Sequence, residues 1–151
     1  TDFIPAESKG SIGNRISIGA KTLNARVIRG SNGTIRIPEL GLEVEPGTAS
    51  SGYISNIEGV LTRFRDTIQM LDRSFDESKD SPEEKERIDF LLNSLEASLS
   101  GEDTKFTLVI LDPMGHSGIL HPETEEWSLS EDEIGQLAIG PEIPIMEVDS
   151  D

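Results

Sequence analysis

Ser50-Ser51-Gly52-Tyr53-Ile54-Ser55-Asn56-Ile57-Glu58-Gly59-Val60-Leu61 is the stretch at which the chain changes period, from short alternating segments before it to a long amphipathic pattern after it. A Gly and two Ser lead into Ser55. Ser55 and Glu58 have the spacing of a capping box, in which each side chain satisfies a backbone N–H left open by the first helical turn. The spacing predicts a helix that starts here with Ser55 as its cap. Gly59 within the first turns costs about 1 kcal/mol relative to Ala, so a packing or contact reason is expected at that position. A well-capped helix start is the plain reading of these residues; a sharper one is that Ser50 to Gly59 also presents backbone and side-chain donors to a partner.

Downstream, Ile57, Val60, Leu61, Phe64, Ile68, Leu71 and Phe75 recur at steps of three and four, the single apolar stripe of an amphipathic helix. Asp76 to Asp80 breaks the pattern. Ser81-Pro82-Glu83-Glu84 restarts it with a cap, a Pro at the first helical position and a Glu three residues after the cap. Ile88, Leu91, Leu92, Leu95 and Leu99 form a second stripe, with Gly101 as the stop. Two such stripes joined by a short polar loop predict an antiparallel helical hairpin over 55–100.

Upstream, Arg15 to Ile18 alternates like a short edge strand behind a Gly- and Pro-containing linker, together residues 1–20. Asn24 to Arg29 reads as a strand, Gly30-Ser31-Asn32-Gly33 as a turn, and Thr34 to Ile37 as the returning strand of a hairpin or tight corner, ended by Pro38. Leu40 to Glu45 alternates in strict period two, which directs Leu42 and Val44 to the core and Glu43 and Glu45 to water. After the helices, Phe106 to Leu111 is a near-continuous apolar run, expected to be buried on both faces. Asp112-Pro113-Met114-Gly115 has the residues of a type I turn, from which His116 to Leu120 can return as the partner strand. The helices are then an excursion between strands of one sheet system, and the fold class is α+β.

A length of 151 residues suits one domain with a real core, and 34% hydrophobic content with one Trp, one Tyr and five Phe makes that core mainly aliphatic. The net charge is −16. His121 to Asp151 holds ten acidic residues and no Lys or Arg, leaving −6 for residues 1–120. Beyond a short helix over Ser128 to Leu137, capped by Ser128 or Ser130, residues 122–151 read as an acidic, flexible tail. This balance argues against nucleic acid or an anionic membrane as the main ligand, because both require a basic footprint. It suits solubility or a basic protein partner. No apolar run approaches the roughly 20 residues that span a bilayer, and no signal peptide opens the chain. A start at Thr1 rather than Met reads as a processed or truncated product.

Catalytic patterns are sparse. The absence of Cys removes thiolate nucleophiles, disulfides and thiolate metal sites from these residues. Neither a Gly-x-Ser-x-Gly elbow nor a phosphate-binding glycine motif occurs. His116 and His121, five apart, fall on opposite faces of a shared strand and do not converge on a metal. The residues that do look specified are loop residues with particular backbone needs, among them Gly30, Gly52, Asp112, Pro113 and Gly115, for which turn geometry is the plainer reading.

Several runs in order carry a resemblance. They are Asn24-Ala25-Arg26-Val27-Ile28-Arg29-Gly30-Ser31, Thr34 to Gly41, Glu45-Pro46-Gly47, Gly52 to Leu61, and Asp112-Pro113-Met114-Gly115-His116-Ser117. Together they resemble the ZPR1 zinc-finger protein family, particularly its single-module archaeal members, over residues 1 to about 120. The family's usual Asp-Asp-Pro-x-Gly-Asn-Ser departs here at Leu111 and His116.

The resemblance implies a double-stranded β-helix-like domain, residues 21–121, with the helical hairpin inserted. It also implies a preceding four-cysteine zinc finger, which a Cys-free chain lacks; zinc is expected in the full-length protein and no cofactor in this chain. Family members bind translation elongation factor 1-alpha, and the eukaryotic ones assist its folding, so the resemblance implies a cytoplasmic, monomeric, non-enzymatic chaperone domain. The alternatives are a module for another receptor or signalling partner, and a cupin-like metal-dependent enzyme, which two histidines disfavour. The expected binding surface joins Arg29 and Ser31, then Ser50, Gly52, Tyr53, Ile54, Asn56, Glu58 and Gly59, then Asp112, Pro113, Gly115, His116 and Ser117.

Overall fold

The computed structural model describes residues 10–46 and 52–137 of the chain. Eight strands run as β1 Ile12–Ser17, β2 Arg26–Arg29, β3 Thr34–Ile37, β4 Leu42–Val44, β5 Tyr53–Asn56, β6 Thr107–Asp112, β7 Gly118–Leu120 and β8 Glu125–Ser128. Three helices, α1 Ile57–Arg73, α2 Pro82–Leu99 and α3 Glu131–Gly135, complete the described fold, with a 3-10 turn at Pro38–Leu40. The strands form two antiparallel sheets, one in the order β4-β3-β6-β1-β8 and a smaller one in the order β5-β2-β7.

The strand β6 explains this arrangement. Its apolar run alternates between two compartments: Leu108 and Ile110 belong to the main core, Val109 and Leu111 to a second cluster with Leu129 and Leu137. A strand buried on both faces needs a neighbour on each edge and a cover on each side. β1 and β3 supply the edges. The main core, with Val27, Ile35 and Ile37 from other strands, is closed by Ile57, Val60, Leu61, Phe64 and Ile68 of α1 and by Leu91 and Leu95 of α2.

The helices form the expected hairpin. Arg65 of α1 reaches Glu96 of α2 at 3.6 Å while Asp72 accepts from Lys85 at 2.6 Å, so position rises along one helix as it falls along the other. Ser81 caps α2 as a full capping box with Glu84, behind Pro82 at the first helical position. Towards the tip the stripe leaves the core, and Leu71 is 51% exposed.

Several expectations are corrected. Residues 122–137 are not a tail: β8 pairs with β1 from Ile12↔Ser128 to Arg15↔Glu125, and α3 follows with Ser130 and Glu133 as its capping box. The second core face of β6 requires this cover; residues 138–151 lie outside the described part. Consequently β1 is an interior strand and not an edge. Trp127 lies over Gly13, where a Cβ would come within 2.5 Å of its ring.

β2 and β3 are joined by a corner and not by a hairpin, since each enters a different sheet; β7 likewise pairs with β2 and not with β6. β4 is the edge strand of the larger sheet, so Val44 remains 39% exposed.

Candidate functional site

The stretch 52–61 contains a cap, displaced by one residue from the one its spacing predicts. β5 runs to Asn56, whose side chain accepts from the Gly59 backbone N–H at 2.8 Å, and α1 begins at Ile57. The Ser55–Glu58 capping box is therefore corrected to an Asn56 cap. The reason is register: the pairing of β5 with β2 runs on past Ser55↔Val27 to Asn56↔Arg26, so Asn56, the last residue of the strand, is the one that stands at the helix start. Gly59 has the packing reason its cost demanded, because a Cβ there would collide with Ser55 Oγ and crowd Asn56 Oδ1.

Three loops meet beside this junction. The turn after β6 is closed by the Gly115 N–H donating to the Asp112 carbonyl at 3.2 Å. The Asp112 side chain, fully buried, accepts from Met114 N at 2.8 Å, from His116 N at 3.2 Å and from Ser117 Oγ at 2.5 Å. Ser117 Oγ in turn accepts from Gly30 N at 2.8 Å, which ties this turn to the end of β2. A Cβ at Gly30 would lie 2.8 Å from His116 Cβ, and one at Gly52 would lie 2.6 Å from the Arg29 carbonyl. Close backbone approach, and not left-handed backbone, is what these two glycines provide.

The loops 29–32, 52–58 and 112–117 are thus brought together, but the named residues do different work. Asp112, Ser117 and Arg29 are buried, so the first two act on any partner only through the loops they hold. Ser31, Pro113 and Gly115 are half-buried, whereas Glu58 and His116 are exposed. Ser50 lies outside the described residues. Period-two geometry then divides the rest. Ile54 pairs with Ile28 and points outward, while Tyr53 pairs with Arg29 on the opposite face.

The outer face of the small sheet carries Ile54 at 66% exposure and Leu120 at 57%, around half-buried Ile28. Leu120 pairs with Arg26 and so shares the face of Ile28 and Ile54. Ile28 and Leu120 were missed in the sequence. The alternation of Arg26, Val27 and Ile28 held the signal, since a buried Val27 turns Ile28 out.

The inner face holds a cleft of about 410 Å3 between the sheets and α1, lined by Arg29, Ile35, Val44, Tyr53, Arg63 and Phe64 among others. Near its rim Glu43 accepts from Arg36 at 2.6 Å. A hydrogen bond with Glu43, then slight burial and the Glu43 charge, push the Glu45 carboxyl above its usual range, with Arg36 opposing. The other shifted groups are local to the surface. Asp76 is lowered by hydrogen bonds from Ser78, Glu133 by the Ser130 N–H and Trp127, and Lys85 is raised chiefly by Asp72.

Comparison with known proteins agrees with this fold. The model of the ZPR1 jelly-roll domain matches residues 21–133. An uncharacterized ZPR1-like protein of Pyrococcus horikoshii is 40% identical over 125 residues, 83% of this chain and 55% of its own length. One of Methanocaldococcus jannaschii is 40% identical over 128 residues, 85% of this chain and 61% of its own. The zinc finger chaperone of Schizosaccharomyces pombe is 34% identical over 100 residues, 65% of this chain and 21% of its own. The chain therefore spans just over half the length of the archaeal relatives.

The zinc that these names imply requires a donor set that the present residues do not supply. There is no Cys in the sequence, and among the described residues no three of His, Asp or Glu converge as metal ligands. His121 Nδ1 instead accepts from Glu123 N at 3.1 Å. The continuous match of residues 21–133, with the two antiparallel sheets and the inserted hairpin, shows that the chain belongs to the ZPR1 family, of which it carries the jelly-roll domain.

Proposed function

We propose that this domain is a non-enzymatic protein-interaction module with a chaperone-type role, and that its partner is translation elongation factor 1-alpha. The observation that carries the reading is the outer face of the small sheet, where Ile54 and Leu120 remain exposed and Leu120 shares a groove with Gly115, His116 and Ser117. Exposed apolar side chains grouped on one sheet face and rimmed by polar loops support a protein-binding reading of that face. The fission yeast relative is a zinc finger chaperone by name, which supports the same class of activity. The finer architecture in this reading is a double-stranded β-helix, and the setting is a cytoplasmic monomer. No described helix is long and apolar enough to cross a membrane.

The test is retention of elongation factor 1-alpha by the immobilised full chain, with the factor newly synthesised, GDP-loaded or GTP-loaded. Retention is expected for at least one of these states, weakened tenfold or more by Ile54→Glu with Leu120→Glu. No retention in any state, or equal retention by the double variant, overturns the proposal.

A further inference from the structure

We infer that the cleft on the inner face of the small sheet is a binding site for a carboxylate, supplied by a Glu or Asp side chain that a partner polypeptide inserts together with its aliphatic neighbours. The source of the carboxylate rests on the protein-interaction reading above; the site itself does not.

Two guanidinium groups converge there on one ring. The Arg63 guanidinium carbon lies 4.2 Å from the Tyr53 ring centroid and that of Arg29 lies 5.8 Å from it. The two cations stand within about 10 Å of each other, roughly one screening length at 0.1 M salt. Arg29 is only 7% exposed. Its Nε donates to the Gly33 carbonyl at 2.9 Å, but one of its terminal nitrogens is buried with no hydrogen-bond partner. Neither arginine forms an ion pair with an acidic side chain of the described residues, and the one carboxylate in the lining, Glu43, is engaged by Arg36. A desolvated, unpaired cation is costly to retain, and the group that relieves it is an anion.

The remaining walls fix which anion. Ile35, Val44, Phe64 and Ile68 make most of the lining apolar. A free phosphate would leave those walls in water, whereas a Glu side chain flanked by aliphatic residues would cover them and present a planar carboxylate to the guanidinium fork. Tyr53 holds both arginines over its ring and so positions them before the ligand arrives.

The chain has a single Tyr and a single Trp, which gives each side of the molecule its own reporter. Tyr53 sits in the cleft, and Trp127 in the second core cluster. The experiment follows Tyr53 ring resonances and the Arg29 Nε–Hε signal of the full chain during titration with acetyl-Ile-Glu-Ile-amide, acetyl-Ile-Gln-Ile-amide and inorganic phosphate. The Glu peptide is expected to shift both signals saturably, the Gln peptide to bind at least tenfold more weakly, and Trp127 to stay unmoved. Arg63→Gln, an exposed substitution that leaves the core intact, should weaken the Glu peptide about tenfold. Absence of a shift, equal binding of the Gln peptide, tighter binding of phosphate, or indifference to Arg63→Gln overturns the assignment. Because these probes bypass the elongation factor, their failure is separable from failure of the retention assay.

Discussion

Replacing Asp112 tests the connection between a single buried side chain and the meeting of three loops. Asp112→Ala removes the acceptor of Met114 N, His116 N and Ser117 Oγ together. Hydrogen bonds to a charged acceptor contribute about 1.5–3 kcal/mol each, but they are not additive, and the exposed side of the turn regains water for part of the loss. A net cost of about 3–5 kcal/mol follows, which for a chain of this size lowers Tm on the order of 10 °C. Asp112→Asn keeps the volume and one carbonyl oxygen. It can serve Met114 N or the pair His116 N and Ser117 Oγ, not both, so its cost is about 1–2 kcal/mol. Urea titration read by circular dichroism gives both numbers, and amide spectra show whether Gly30 shifts as Ser117 loses its orientation. Loss of less than about 1 kcal/mol in the Ala variant, or equal loss in the two variants, would refute the view that this carboxylate holds the loops.

Other perturbations follow from the same geometry. Gly59→Ala, which raises helix propensity, should instead destabilise by about 1–2 kcal/mol because the new Cβ collides with Ser55 Oγ and crowds the capping Asn56 Oδ1; a gain in urea midpoint would contradict this. Gly13→Ala should cost about 1–3 kcal/mol and move Trp127 emission to longer wavelength, since the ring must leave its place over the strand. The Glu133 carboxyl is held below its usual range by the Ser130 N–H first and by Trp127 as well. Its folded value is thus lower than its unfolded one, so its contribution is present above the usual glutamate range and lost as pH falls through the depressed folded value. Acidification should therefore loosen α3 and change Trp127 emission, and Glu133→Gln should remove that pH dependence.

The helical hairpin was legible except for the cap of α1, because an apolar stripe of period 3.6 has one structural solution and Ser81-Pro82-Glu83-Glu84 marks where α2 starts. β6 was legible for a similar reason, an apolar run too short for a helix that must be covered twice. What covers it was not legible. Glu125-Glu126-Trp127-Ser128 is dominated by charge, and the period of β8 is carried by one ring, so its pairing with β1 could be seen only in space. Partner choice failed in the same way for β2 and β3. Gly30 to Gly33 specifies a change of direction, not whether the chain re-enters the same sheet. For the site, the loop residues could be named because turns have strong residue preferences, but which of Tyr53 and Ile54 faces outward depends on the register of β5 against β2.

The position of β1 bears on how the chain reaches this structure. β1 lies between β6 and β8, pairing Ile12 with Asp112 on one side and with Ser128 on the other. Contacts of that sequence separation carry the largest loop-closure entropy and form slowly, whereas a hairpin of adjacent helices closes over a short loop. Folding should therefore begin with residues 57–99 and finish when β6 and β8 enclose β1. Pulse-labelled hydrogen exchange should show α1 and α2 amides protected before those of β1, and the reverse order would be incompatible with this route. On a ribosome, β1 emerges early and waits unpaired until β6 and β8 follow, so this strand is the part of the domain most exposed to premature pairing with another chain.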